Sequence, residues 1–371
     1  MSSKQTRRAK SSGLGAAQIL PAVRYRFIHD AVRDRERQAR MKESGKPLTL
    51  WNQEAPAVRE LVSYIEAITH EGGEDYIPAG KRVAVFDLDG TLFCETDPVY
   101  LEYRLLLHRV LGDESYRDRA SEFEKSVARK VETVIKTGKA PEGLDMENGQ
   151  AISSAFAGLT VDEFGDYVRR YREQPAAGFD GMRIGDAFFR PMLQVIDYLK
   201  QNGFQIYICS GTDRMVVRGI VDGEVDVNPS QVIGTDEVLV TRGQIEEDGT
   251  EHTFDDRDEL VLGGKLFIKN LQMNKVSGIA HEIGLQPVLC FGNSPGDLSM
   301  ANYVTAGNHF RTKVFMLLCD DLERERGNLQ KAEKMADLCS QHGWVPISMK
   351  NDWLTIYGEG VSKKEYTDYT P

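Results

Sequence analysis

The chain contains no apolar run approaching the ~20 residues that a membrane-spanning helix requires, which excludes an integral membrane protein of the helical type. Cysteine is scarce: Cys94, Cys209, Cys290, Cys319 and Cys339 are odd in number, widely spaced and form no CxxC. That argues against a disulfide framework and a cysteine-built zinc site, and points to a reducing compartment, so a cytoplasmic location is expected. The seven histidines include no HxH or HxxxH pair, which removes the usual histidine metal sites. Net positive charge is also lacking: the balance is -11, with a pI near 5.3, so bulk binding to nucleic acid is disfavoured. Internal repeats and low-complexity tracts are absent. What is left is an ordinary globular composition, 41% hydrophobic and 28% charged over 371 residues, enough for one large domain with an inserted module or for two domains.

Against this background residues 82–92, RVAVFDLDGTL, stand out. Val83, Ala84, Val85 and Phe86 are too short a run for a helix and suit a strand buried on both faces. Asp87 and Asp89 follow where that strand should end, and Gly90 and Thr91 break the pattern. In an open α/β sheet, ligands sit at the carboxyl ends of the strands. Two carboxylates crowded there, with no cation near in sequence, need a counter-ion or a proton.

Ahead of this stretch, residues 1–46 hold twelve basic and four acidic residues, so they carry +8 and the remainder -19. A basic extension over 1–47 is expected, solvated or lying on the acidic body. Its two targeting readings are export and transit. Arg7 and Arg8 precede a stretch, Gly13–Val23, that Gln18 and Pro21 interrupt, which is weak for a secretory leader; an Arg-rich, acid-poor transit segment is the other. Residues 52–70 predict an amphipathic helix with Val58, Leu61, Val62, Ile65 and Ile68 on one face and Asn52 as N-cap, so 48–80 is read as a helix packed on the core.

After Thr91 the pattern turns helical to about residue 185. Helices are expected around 100–110 and 123–135, and from a capping box at Thr160–Glu163 with Phe164, Tyr167, Val168 and Tyr171 on its face. Residues 138–150 read as loop. The chain then alternates: a helix opened by Pro191, a strand over Phe204–Cys209, a helix with Met215, Val216, Ile220 and Val221 inward, and β-like runs at 231–267 suggesting a hairpin. A helix starting near Lys275 and a strand Val288–Phe291 come next. Val314–Leu318 is a further strand and 328–341 a last helix, and the polar tail, 351–371, is expected to fray from about 355. This is an α/β pattern, a parallel sheet with helices on both faces. The core is expected over 81–95 and 186–350.

Three strand ends carry polar residues: Asp87 and Asp89; Ser210 and Gly211; Asn293 and Asp297. A parallel sheet brings them to one edge. Such a cluster of hard oxygens suits magnesium, and a phosphate would complete its shell. Ser210 offers a hydroxyl, and Gly211 lets a backbone N–H approach a phosphate oxygen. Lys275 or Lys269 would bring a positive charge to the same edge.

These stretches resemble, in order, motifs I to IV of the haloacid dehalogenase-like (HAD) hydrolases: DLDGT at 87–91, CSGT around Ser210, NKVSGI with Lys275, and GNSPGD at 292–297. The resemblance covers about residues 82–305 and is nearest to phosphatases of the phosphoserine phosphatase type. It implies Mg2+ as cofactor, a helical cap over 96–185, and a small phosphorylated metabolite as substrate. Asp87 resembles the nucleophile that forms an aspartyl-phosphate, and Asp89 the general acid/base. Ser210, Gly211 and Lys275 resemble the phosphate-binding residues, with Lys275 preferred over Lys269 for its spacing to motif IV. Asp87, the Asp89 carbonyl, Asn293 and Asp297 resemble the metal ligands. One departure is Asn293, where the family pattern has an acid; its amide oxygen brings no charge. An Asp at 89 fits phosphatases and phosphotransferases rather than dehalogenases or ion pumps. Phosphoryl transfer to an alcohol other than water, and a non-catalytic module binding through the basic arm, are the other two readings. Glu95, Asp97, Tyr100, Arg104, Arg183 and Arg190 are candidates to read the far end of a substrate, with ordinary salt bridges as the alternative for each; Cys94 is read as a buried filler.

Overall fold

A computed structural model describes residues 48–244 and 249–364. The basic arm, with the targeting readings attached to it, lies outside those residues. Within them, strand β1 (Val83–Phe86) is the centre of a seven-stranded sheet and is buried along its whole length. The other strands are β2 (Gln205–Asp213), β3 (Val232–Thr241), β4 (Leu260–Ile268), β5 (Leu289–Gly292), β6 (Lys313–Leu318) and β7 (Val345–Ser348). Their order across the sheet is β4-β3-β2-β1-β5-β6-β7. Every neighbouring pair is parallel except β3 with β4, the expected hairpin at one edge.

The alternation of side chains along β1 shows why its sequence is apolar throughout. Ala84 and Phe86 belong to a core shared with helices α1 (Pro56–Thr69) and α6 (Arg190–Gln201), which bury Leu61, Ile65, Met192 and Ile196. Val85 faces the other way, into a core with α8 (Met273–Ile283), α9 (Leu298–Thr305) and α10 (Leu329–His342), which supply Ile279, Met300 and Met335. A strand covered on both faces has no polar side to show.

Four more helices lie between β1 and α6: α2 (Leu101–Leu107), α3 (Glu122–Thr137), α4 (Leu144–Ala155) and α5 (Val161–Tyr171). The Thr160–Glu163 capping box closes as expected, with both reciprocal bonds formed, at 3.1 and 2.8 Å. Three expectations are corrected. Helix α4 takes in residues 144–150, where a loop was expected: Gly149 looks like a breaker, yet it and Asn148 are buried, and a Cβ on Gly149 would stand only 3.4 Å from Leu266 and Lys269. Close packing on β4 overrides local propensity there. The N-cap of α1 is Ala55, not Asn52, because Pro56 supplies the first turn; the Asn52 side chain accepts from the Glu54 N–H instead. The tail does not fray from 355 through 364: Trp353, Ile356 and Tyr357 are core residues, and Ser362–Lys363 pairs with Phe179–Asp180, while 365–371 lie outside the described residues.

One buried pair gives the fold a pH dependence. Asp213 caps α7 (Arg214–Val221) through the N–H groups of Met215 and Val216, 2.8 and 3.1 Å away. Burial, then the neighbouring Glu237 carboxyl, pushes Asp213 well above the usual carboxylate range, and burial raises Glu237 too. The folded state therefore binds a proton that the unfolded state releases, and stability falls as pH rises from about 4 upward. Glu237→Gln should raise the melting temperature by a margin that widens between pH 5 and pH 8. Thermal melts showing an equal margin at both pH values would refute this origin.

Candidate active site

The carboxyl end of β1 runs directly into the acidic pair. The Asp87 N–H still bonds to the Phe291 carbonyl on β5, at 2.9 Å, so the strand holds it in register. Then the chain turns sharply: Gly90 takes φ +77° and donates to the Phe93 carbonyl at 2.7 Å. Leu88, between the two aspartates, is fully buried in the core. Asp87 and Asp89, two residues apart, both line a cavity of about 340 Å³.

Lys275 enters from the first turn of α8. Its Nζ donates to Asp87 Oδ1 and to Asp297 Oδ1, each at 2.7 Å. Burial pulls an ammonium down, but the two carboxylates outweigh it and hold Lys275 above the ordinary lysine value. Burial and the Asp297 charge push Asp87 up, against the pull of Lys275. Asp297 is fixed from its other side by the N–H groups of Asn293 and Ser294, both 3.1 Å from its Oδ2. Lys269, the rival lysine, does not reach these groups; its Nζ lies 3.3 Å from Glu102.

Ser210 and Gly211 sit at a break in the β2–β3 register between Cys209 and Asp213. Ser210 is fully buried, and its Oγ accepts from the Thr212 N–H at 3.1 Å. Gly211 lines the cavity, and a Cβ there would stand 2.7 Å from Leu271. The Thr212 hydroxyl donates to Asp89 Oδ2 at 2.7 Å. Asp89 Oδ1 is buried with no hydrogen-bond partner, and burial lifts the carboxyl to about 7.

Asn293 faces motif I from β5. Its Oδ1 accepts from Thr91 at 3.4 Å, and its Nδ2 donates to Glu95 at 3.3 Å. It lies so close to Gly90 that a Cβ on that residue would meet Nδ2 at 1.9 Å. Gly90→Ala must then push Asn293 aside as well as occupy a left-handed backbone, a conformation that costs about 1–2 kcal/mol for a residue with a Cβ.

The donor set suits a hard divalent cation. It is all oxygen: the buried carboxylates of Asp87 and Asp297 share the Lys275 ammonium, and the buried Asp89 carboxylate has no ion pair among the described residues. No group of three or more His, Cys, Asp or Glu side chains placed to hold a metal occurs among the described residues. Magnesium does not need one, since it is commonly held by one or two carboxylates, waters and substrate phosphate. Asp297 is the most committed of the four expected ligands, with both oxygens already accepting.

Of the far-end candidates, Glu95 and Tyr100 line the cavity. Asp97 and Arg104 pair with each other at 2.5 Å in the interior, Arg183 pairs with Asp186 at 2.9 Å, and Arg190 donates to the Tyr357 carbonyl. Cys94 is buried against Thr96 and Glu325. Sequence reasoning missed Thr212, Glu102, Tyr103 and Asp145 as cavity residues. Thr212 stood inside the CSGT motif; the other three carry no signal before α2 and α4 are placed over the strand ends. A larger cleft, about 650 Å³, lies among the helices of 101–174 and shares no lining residue with the carboxylate cavity. No helix among the described residues is long and apolar enough to cross a membrane.

Residues 84–302 match the family model of the haloacid dehalogenase-like hydrolases. No curated protein sequence matches the chain. Among solved structures it is similar to a protein of unknown function from Anaerococcus prevotii, at 15% identity over 87% of this chain and 100% of that one, with a TM-score of 0.52. It is also similar to a protein of unknown function from Bordetella pertussis, at 14% identity over 72% of this chain and 98% of that one, TM-score 0.43. A phosphoserine phosphohydrolase-like protein from Francisella tularensis is similar at 15% identity over 73% and 95%, TM-score 0.38. The first likeness is one of fold.

Proposed function

The chain belongs to the haloacid dehalogenase-like hydrolase family, and on that premise we propose that it is a magnesium-dependent phosphatase of small phosphomonoesters. The observation that carries this reading is the bridge from Lys275 to Asp87 and Asp297, set beside an Asp89 whose Oδ1 has no partner. Asp87 is the nucleophile: its free oxygen attacks phosphorus, the bond from phosphorus to the alcohol oxygen breaks, and an aspartyl-phosphate forms. Asp89, aimed by Thr212, gives its proton to the departing alcohol oxygen. In the second step Asp89 takes a proton from water, the water oxygen bonds to phosphorus, and the Asp87 carboxylate is released with inorganic phosphate. A carboxyl lifted toward neutrality by burial suits both transfers.

Ser210, the Gly211 N–H and Lys275 bind the phosphate oxygens in this reading. Asp87, the Asp89 carbonyl and Asn293 would hold magnesium, which supplies charge neutralisation for phosphate when bound. Asp297 is reassigned from ligand to positioning residue, because Lys275 and two backbone N–H groups already occupy its oxygens. The helices of 96–185 act as the cap over the strand ends, between core segments 81–95 and 186–350.

Phosphate release from p-nitrophenyl phosphate tests the proposal. Activity should vanish in excess chelator and return with magnesium better than with calcium, which prefers 6–8 oxygen ligands in looser geometry. Full activity in chelator would overturn the metal assignment. Gly90→Ala should stay folded and need at least about tenfold more magnesium for half-maximal rate, since it displaces an oxygen ligand; an unchanged magnesium titration would place Asn293 outside the metal's shell.

A further inference from the structure

The cavity's acidity exceeds what phosphate and metal chemistry requires. Six carboxylates line it (Asp87, Asp89, Glu95, Glu102, Asp145 and Asp297), against two ammonium groups, Lys269 and Lys275. Both lysines are committed. Lys275 bridges Asp87 and Asp297. Lys269 lies on Glu102 Oε2, which also accepts from Asn148 at 2.8 Å, while Glu102 Oε1 takes the Asp213 N–H at 2.7 Å. No arginine lines the cavity.

Glu95 and Asp145 differ from the rest. Among the described residues neither forms an ion pair within 4.0 Å; their partners are neutral. Glu95 accepts from the Asn293 amide, and Asp145 from the Tyr103 hydroxyl. The two tyrosine rings stand edge to face, with centroids 5.5 Å apart and planes at 87°. Neither carboxylate has an ion-pair partner, and the cation that acts on Glu95, Lys331, is exposed and does not line the cavity. With the two tyrosines beside them they form a receptor for positive charge, the acids supplying the Coulomb attraction and the rings their negative faces. Glu95 touches Asn293 directly, so this receptor adjoins the phosphate end of the site. At about 340 Å³ the cavity is at the small end for ligand sites, of roughly 300–1,000 Å³.

We infer that the substrate is the phosphomonoester of a small alcohol bearing an ammonium group and no carboxylate, its cation held by Glu95, Asp145, Tyr100 and Tyr103. This rests on the phosphatase reading and narrows it. A phosphorylated amino acid carries the same ammonium, but its carboxylate would lie among Glu95, Asp145 and Glu102 with no uncommitted cation in the cavity lining to meet it. Burying such a charge unpaired is costly.

The test compares kcat/KM of the full chain with magnesium on four compounds: 2-aminoethyl phosphate, its neutral isostere n-propyl phosphate, O-phosphoserine and p-nitrophenyl phosphate. The amine should be favoured over n-propyl phosphate by at least about 30-fold, the factor a desolvated cation–aromatic and carboxylate contact makes, and over O-phosphoserine by a similar factor. Glu95→Gln and Tyr103→Phe should each lower the amine-to-propyl ratio several-fold. A ratio near one, with p-nitrophenyl phosphate still turned over, overturns the inference and leaves the phosphatase standing. Equal efficiency on O-phosphoserine overturns the exclusion of a carboxylate. No phosphate released from any of the four overturns the phosphatase reading, and the inference with it.

Discussion

Asp87→Asn is expected to lower phosphatase turnover by more than about 10⁴-fold, the scale of loss when a nucleophile is removed, while leaving the protein at least as stable as the parent. The two effects have one cause. An amide cannot form the acyl phosphate, so the two-step route closes. Yet the Asn oxygen can still accept from Lys275, which now stands 2.7 Å from Asp87 Oδ1, and the substitution removes one of three crowded, buried carboxylates. Burial and Asp297 both disfavour the Asp87 charge in the folded state, so its loss relieves the fold. Measured in chelator, to keep metal binding out of the comparison, the melting temperature should hold or rise. Activity within tenfold of the parent would remove Asp87 from the nucleophile's role. A sharp fall in stability would mean that the carboxylate is there chiefly to hold Lys275.

Lys275→Met is expected to do the opposite on stability and the same on activity. The lysine is 3% exposed and lies between two buried carboxylates. Breaking a buried ion pair by deleting one partner costs about 3–5 kcal/mol, because the charge left behind has no solvent. Here two charges are left. Methionine fills similar volume, so the loss is electrostatic rather than a cavity. Adding Asp297→Asn should recover part of the stability, since one orphaned charge goes with it, but none of the activity. Denaturant unfolding of both single variants and the double variant gives the coupling directly. If Lys275→Met unfolds at the parent's denaturant concentration, the bridge contributes nothing net and the lysine serves catalysis alone.

The core of this reading was legible in the chain because its elements are local. Four apolar residues followed by DLDGT state a buried strand with acids at its end, and a parallel sheet puts all such ends on one edge. The preference for Lys275 over Lys269 came from spacing, and the structure gives the geometric reason: Lys275 is in the first turn of α8, whereas Lys269 lies between β4 and α8 and turns to Glu102. The helix at 144–155 was not legible. Asn148 and Gly149 weaken it locally, and it is the close approach to Leu266 that makes small residues an advantage there. The anchored end of the chain was missed for a similar reason. Polar residues hide three core contacts, at Trp353, Ile356 and Tyr357, whose partners lie far away in sequence.

By itself the sequence determined the α/β class, the position of β1 with Asp87 and Asp89 at its end, and the family. Each depends on hydrophobic period and on residues within a few positions of one another, which short-range sterics and burial dictate. Tertiary structure alone decided which charges are spent. Lys269 on Glu102 and Lys275 on Asp87 are pairings across 167 and 188 residues, and only after they are made does the surplus at Glu95 and Asp145 become visible. Electrostatic complementarity is a sum over neighbours in space, and the chain order does not state who those neighbours are.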